Sequence, residues 1–364
     1  MSKLLKAGEG KGIRAFRPAA LVLLVVAIVA LGLGYLTTGA VETDWGSIWS
    51  AFSTWTDSSA AFGLQEAVIR EIRLPRLVAG LLVGTALTLA GTLMQGLFRN
   101  PLADPALIGV SSGGAMGGIL AIVGFPLLFP NLDLGMGAGA FVLPLCAMGG
   151  AIGLTFLIYR VSLVRGKTHV PAMLLTGIAV NAIGGAFVGL MLTVFATDAQ
   201  LRSVTFWTLG SLGGSNWTST GILALFIIPG VAISLRQGRS LNAFLLGEAE
   251  AVHLGVSIQR MKRLVIIVSA LMVGVTVAFC GIIGFVGLVV PHMIRTVFGP
   301  DHNFLLPAGA LLGAVVLVAA DLCARTVVAP AELQIGILTA LLGGPFFLAL
   351  LLGARKGGAS LGGT

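Results

Sequence analysis

The stretch IRLPRLVAGLLVGTALTLAGTLMQGLFRNPLADPALIGVSSGGAMGG, residues 72–118, decides the reading of this chain. Two arginines, Arg73 and Arg76, flank Pro75. An uncharged, glycine-spaced run of helix length follows. It closes on a polar, proline-broken elbow, Arg99-Asn100-Pro101-Leu102-Ala103-Asp104-Pro105, and then on a run of Gly and Ser. A plain anchor needs only about 20 apolar residues. A spanning helix that turns through a structured polar elbow and continues on small residues implies tight helix packing and movement of cargo.

The rest of the chain has the same character. Of 364 residues, 57% are hydrophobic and 10% charged, against about 25% charged in an average soluble domain. Apolar segments of spanning length recur throughout, which predicts an all-α, polytopic membrane protein. The net charge of +8 does not point to nucleic acid, because Lys and Arg cluster in short segments between apolar spans and form no continuous basic face. Cys146, Cys280 and Cys323 each lie in or beside an apolar span without paired spacing. They read as small core residues, not as a disulfide or metal framework.

Ten spans are predicted: 18–36, 74–98, 105–124, 139–159, 170–196, 217–235, 264–281, 283–298, 304–327 and 333–353. The basic N-terminus followed by an apolar run imitates a signal peptide, with a cut after Ala40 conceivable. The run is long for a signal, so it is read as an uncleaved first span. With the N-terminus inside, seventeen of the 22 Lys and Arg fall on the inner side and five on the outer. That bias predicts both termini in the cytoplasm. The layout is a cytoplasmic extension at 1–17, a membrane domain at 18–353 and a cytoplasmic tail at 354–364.

Small-xxx-small pairs at Gly80/Gly84, Gly114/Gly118, Gly149/Gly153 and Gly185/Gly189 predict close helix contacts in lipid. A faint internal echo relates Arg73-x-x-Arg76-Leu-Val to Arg260-x-x-Arg263-Leu-Val, on helices of opposite predicted direction. An inverted repeat of the kind common in transporters is the reading it supports, with chance as the alternative.

No catalytic constellation emerges. His169, His253, His292 and His302 are scattered, each without a ligand-spaced partner. Gly166-Lys167-Thr168 imitates the end of a phosphate-binding loop, but Val161 stands where its first glycine is required. No metal site, bound cofactor or ATPase activity is therefore expected of this chain. In the inner segment 238–263, Leu241, Phe244 and Leu245 fit one short amphipathic helix. Gly247 breaks it, Glu248 to Leu254 fit a second, and Gly255 stops that one. Such a pair either lies on headgroups or docks into a partner. On the outer side, Arg73, Arg76 and Arg325 either snorkel or pair with Glu71, Asp321 or Glu332, or else present a docking surface to an acidic partner. Gln95, Asn181 and Asn216 are read as rare polar residues within the spans. They read as interhelical glue, with Asn181 also a candidate for a pathway lining.

The segments RLPR, RNPLADPALIGVSSGG, FWTLGSLGG (206–214), LLGEAEAVHLG (245–255), GFVGLVVPHMIR (284–295) and AELQIGILTALLGGPFF (331–347) together resemble the permease family of type II ABC importers. That family carries iron–siderophore complexes, haem and cobalamin. The resemblance runs from about residue 64 to 353 and is most like the haem permeases. It implies a ten-helix permease fold in the bacterial inner membrane, assembled from two copies of the chain, two ATPase subunits that use ATP and Mg, and a periplasmic binding protein. It assigns the loop at about 239–256 to ATPase coupling, through Leu245, Gly247, Glu248, Ala251, His253, Leu254 and Gly255. It assigns Arg73, Arg76 and Arg325 to the binding protein, and Asn100, Leu102, Thr168 and His169 to a cytoplasmic gate. Haem is the expected cargo, with a ferric siderophore or cobalamin as alternatives. An ion-gradient-driven transporter would instead need a buried relay at mid-span, and a scaffold would not need the coupling loop.

Overall fold

The computed structural model describes residues 15–39, 41–55, 63–131, 135–329 and 331–356. The basic residues at 3–14 and most of the tail at 357–364 lie outside the described residues. Helix α1 is Arg17–Thr37, and α2 is the short Trp45–Ser53, whose N-terminus Asp44 caps by accepting from the Ser47 amide. Helix α3 is Leu64–Phe98 and α4 is Val110–Leu128. Then come α5 (Gly135–Val161), a hairpin of β1 (Leu163–Val164) with β2 (Lys167–Thr168), α6 (Val170–Val194) and α7 (Asp198–Thr208). Helix α8 (Trp217–Arg236) leads into the short α9 (Gly238–Leu245) and α10 (Glu248–His253). The chain finishes with α11 (Ile258–Cys280), α12 (Val286–Phe298), α13 (His302–Thr326) and α14 (Ile335–Lys356).

Among the described residues, eight helices are long and apolar enough to cross a membrane, and two shorter apolar ones, at 286–298 and 335–349, complete the ten expected. Several boundaries differ from the sequence reading. Residues 258–263 belong to α11, although Arg260, Lys262 and Arg263 looked like loop. The third span does not begin at Pro105: a 3-10 turn at Pro105–Ile108 and Gly109, at φ +83°, separate the elbow from α4. Helices α2 and α7 were not expected, nor was the hairpin. The Thr197–Gln200 capping box of α7 is a local signal that would have found it.

Helix α3 is the centre of the bundle. Nearly every side chain from Val83 to Phe98 is buried, and α8, α11, α12 and α13 pack around it. A helix that is apolar all round belongs in such a place. Two wide π-helical stretches, Val68–Arg73 and Leu120–Gly124, each run up to a proline, Pro75 and Pro126. Proline lacks an N–H and its ring collides with the carbonyl four residues earlier, so the helix widens ahead of it instead of breaking.

Close backbone approaches hold the core. A Cβ on Gly91 would stand 1.8 Å from the Gly287 carbonyl oxygen, and one on Gly84 would stand 2.2 Å from that of Gly313. Of the anticipated glycine pairs, Gly80/Gly84 and Gly114/Gly118 pack inward, while Gly149/Gly153 and Gly185/Gly189 have nothing within 4 Å. The latter two lie on outward faces of α5 and α6. The helices that carry the arginine echo, α3 and α11, are the two most buried spans and pack against each other.

Candidate coupling node and gate

The elbow, the hairpin, α9 and α10 gather at one end of the bundle. Arg99 ends α3 in the left-handed conformation, φ +50°. Asn100 then folds the elbow: its Oδ1 accepts from the Leu102 amide at 2.9 Å and its carbonyl from the Ala103 amide at 3.1 Å. Asp104 caps the 3-10 turn, accepting from the Ala106 amide at 2.7 Å. Burial pushes the Asp104 carboxyl above its usual value, against the smaller opposing pull of that bond. Leu102 faces Leu288, His292 and Phe347 across a narrow crevice between the elbow, α12 and α14. Asn181 reaches from α6 to the same segment, donating to the Ala106 carbonyl at 3.0 Å. Gln95 acts similarly, donating to the Leu288 carbonyl at 3.2 Å. Asn216 is the N-cap of α8, not a residue inside it.

Helices α9 and α10 are amphipathic at this end. Leu241, Phe244 and Ala251 are buried, while Leu245, Leu246, Val252 and Leu254 are exposed. Gly247, at φ +135°, makes the break between the helices, and Gly255, at φ +81°, follows the second. Glu248, His253 and Gly255 are exposed with the leucines. Ala251 is buried, because the helical period turns it into the core. Asn242 fastens α9 to the start of α13: its Nδ2 donates to Asp301 Oδ1 at 2.8 Å, and its Oδ1 accepts from the His302 amide at 2.8 Å. Asp301 also holds Arg17 of α1 at 2.7 Å. Burial alone would raise the Asp301 carboxyl, but the bonds from Asn242, Arg17 and the Asn303 amide outweigh it and hold it below its usual value.

Lys262 joins these parts. It is 2% exposed. Its Nζ donates to Glu248 Oε1 of α10 at 2.7 Å and to the Thr168 carbonyl of the hairpin at 3.2 Å. It also stands 5.6 Å from the ring of Phe244, which the Arg99 guanidinium covers at 4.1 Å. Gln259 supports the same strand, accepting from the Thr168 amide at 2.9 Å. One buried ammonium thus connects α9, α10, the hairpin and, through Phe244, the elbow. His169 is exposed and caps α6, its Nδ1 accepting from the Ala172 amide at 3.2 Å.

At the opposite end the three arginines take unequal places. Arg76 grips Asp321 through two bonds of 2.9 and 2.8 Å and Glu332 through two of 3.0 Å. Arg73 donates to the carbonyls of Leu36 and Val41 and to Thr43 Oγ1. At 3% and 6% exposure, Arg73 and Arg76 do not form an exposed docking surface in this conformation. Pairing with Asp321 and Glu332 is the alternative that holds for Arg76. Arg325 is half-buried, 3.8 Å from the Tyr35 ring, and donates to the Tyr35 carbonyl at 2.6 Å. Tyr35 in turn donates to Asp321, which is fully buried. The cluster ties α1, α3 and α13 together.

The comparisons with known proteins agree with this architecture. The chain is 42% identical over 337 residues to the hemin transport system permease protein of Yersinia pestis, covering 92% of this chain and 95% of that one. It is 39% identical over 318 residues to the cobalamin import system permease protein of Halobacterium salinarum, covering 86% and 82%. A solved structure described as an inward-facing metal-chelate type ABC transporter matches with a TM-score of 0.78 and 33% identity, covering 92% of this chain and 99% of that one. The model of the FecCD transport family matches residues 22–353. The chain therefore belongs to the FecCD transport family.

Proposed function

We propose that this chain is the membrane subunit of an ATP-driven importer that carries haem across the bacterial inner membrane. Two copies work with two ATPase subunits at the elbow end, which is cytoplasmic, and with a binding protein that delivers cargo at the other end. The observation that carries the reading is the pair α9–α10. Its exposed leucines suit an apolar cleft in a partner, and its buried face is wired through Lys262 to the hairpin and through Phe244 to the elbow. Movement of a docked ATPase then reaches both gate elements, Asn100–Leu102 and Thr168–His169, without an intervening flexible loop. Asn181 holds the elbow's far side to α6.

Haem is supported by the 42% identity to the Yersinia pestis hemin permease. Cobalamin is the second reading, supported by nearly equal identity to cobalamin permeases, 39% in Halobacterium salinarum and 38% in Salmonella paratyphi A. The deciding experiment reconstitutes the chain with its ATPase and binding protein in vesicles and measures ATP hydrolysis and uptake with haem, cobalamin and a ferric siderophore. Haem should stimulate both most strongly. Stimulation by cobalamin instead would move the cargo, and uptake without nucleotide would return the ion-gradient mechanism.

For delivery, Arg325 is the arginine with charge left to offer. Rim charges steer a partner, so Arg325→Glu should weaken binding-protein affinity by more than the neutral Arg325→Gln, which loses the same bond to the Tyr35 carbonyl. Unchanged affinity would remove Arg325 from the interface. Arg73 and Arg76 contribute by holding the rim in shape.

A further inference from the structure

A groove of about 470 Å³ runs between α5 and α11 at the elbow end, and nothing in the transport mechanism uses it. Its walls come from two stripes of equal spacing: Ile152, Thr155, Phe156, Tyr159 and Arg160 on α5, and Arg263, Ile266, Ile267, Ala270 and Leu271 on α11. Each stripe follows i, i+3, i+4, i+7, i+8, which puts all five residues on one helix face. The helices are antiparallel here, so each stripe has its arginine at the elbow end and its aliphatic residues toward the membrane interior. At about 1.5 Å per residue the groove extends about 12 Å below its arginines.

Three features together define a ligand. Arg160 and Arg263 are both exposed, and among the described residues neither has an ion pair or hydrogen bond; Arg160 only covers Phe156, at 5.7 Å. Below them Thr155 is 3% exposed, and its Oγ1 is buried without a hydrogen-bond partner. Deeper still, the lining is wholly aliphatic. An anion at the mouth, an acceptor at the depth of Thr155 and a hydrocarbon chain beneath it complement this order. We propose that the α5–α11 groove binds one anionic phospholipid, with its phosphate between Arg160 and Arg263, an ester oxygen at Thr155, and an acyl chain along Ile152, Ile267 and Leu271. The groove then also steadies the hairpin, because Leu163 and Gly166 form its rim. The proposal needs only that the chain spans a bilayer, so it stands or falls apart from the cargo assignment.

The test uses the full-length protein, stripped of lipid in mild detergent and titrated with palmitoyl-oleoyl phosphatidylglycerol or phosphatidylcholine, with bound lipid counted by native mass spectrometry. Phosphatidylglycerol should be preferred about 30-fold, as expected for two arginines at a membrane surface. Arg160→Gln with Arg263→Gln should reduce the preference to near parity. Thr155→Val should weaken both lipids alike and leave their ratio unchanged. Inorganic phosphate at millimolar concentration should not displace the lipid; displacement would make this an ion site and overturn the proposal. A double variant that keeps the full preference would overturn it as well. If that variant fails to accumulate, wild-type protein serves: phosphatidylglycerol, and not phosphatidylcholine, should shield Arg160 and Arg263 from phenylglyoxal. Equal modification under both lipids would refute the site.

Discussion

Lys262→Met isolates the connection between α10 and the hairpin. Methionine keeps the unbranched stem but removes the ammonium. Two bonds are lost, at 2.7 Å to Glu248 and 3.2 Å to the Thr168 carbonyl. The Glu248 side chain is 52% exposed, so solvent screens that pair and it contributes at most about 1 kcal/mol. The bond to Thr168 involves a buried charge and leaves a carbonyl unpaired when broken, which costs about 1.5–3 kcal/mol. The Thr168 bond favours the docked hairpin by about 2 kcal/mol, an equilibrium factor of about 30. Hydrogen exchange across residues 163–169 should therefore accelerate about 30-fold in Lys262→Met, while exchange in the α3 core stays unchanged. In vesicles with the partner ATPase, cargo moved per ATP should fall even though the ATPase still copurifies. Glu248→Gln should accelerate the same amides by no more than about fivefold, because it removes only the screened pair. Exchange within twofold of wild type in Lys262→Met would refute the reasoning, and so would an equal effect from Glu248→Gln.

Asp321→Asn should lower stability by about 3 kcal/mol or more, read as a fall in Tm, because it removes the buried charge from beneath Arg76 and a partner from Tyr35. Gly91→Ala should fail to accumulate or lose about 1–3 kcal/mol, since its Cβ would stand 1.8 Å from the Gly287 carbonyl and α3 would have to part from α12; Gly189→Ala, with nothing within 4 Å, should leave the Tm of the isolated chain unchanged. Asp104→Asn should raise the Tm at pH 7 while keeping the cap. The folded carboxyl titrates above its unfolded value, so ionised Asp104 carries a penalty at neutral pH. That penalty fades as pH falls through the raised value and is gone below about 3.9. The wild-type deficit relative to Asp104→Asn should shrink along that course, and a constant difference would contradict it.

The spans were legible in the sequence because a bilayer imposes about 20 apolar residues on every helix that crosses it. The break between α9 and α10 and the stop of α10 were legible from Gly247 and Gly255, whose positive φ only glycine adopts readily. The arginine end was half legible. The sequence offered both internal pairing and an exposed surface, and only burial chose pairing for Arg76 and internal bonding for Arg73. The start of α11 was misplaced because Arg260, Lys262 and Arg263 look like loop until the helix is seen to turn Lys262 inward. Local chemistry, then, determined which segments span, where they turn and what family the motifs resemble, since propensity, hydropathy and caps act within a few residues. The tertiary structure decided which polar groups meet. Arg99, Thr168, Phe244, Glu248 and Lys262 lie on five separate elements, and no periodicity relates them. A buried ammonium must find its acceptors wherever packing brings them, so the link from α9 and α10 to the hairpin and elbow exists only once the bundle has closed around α3.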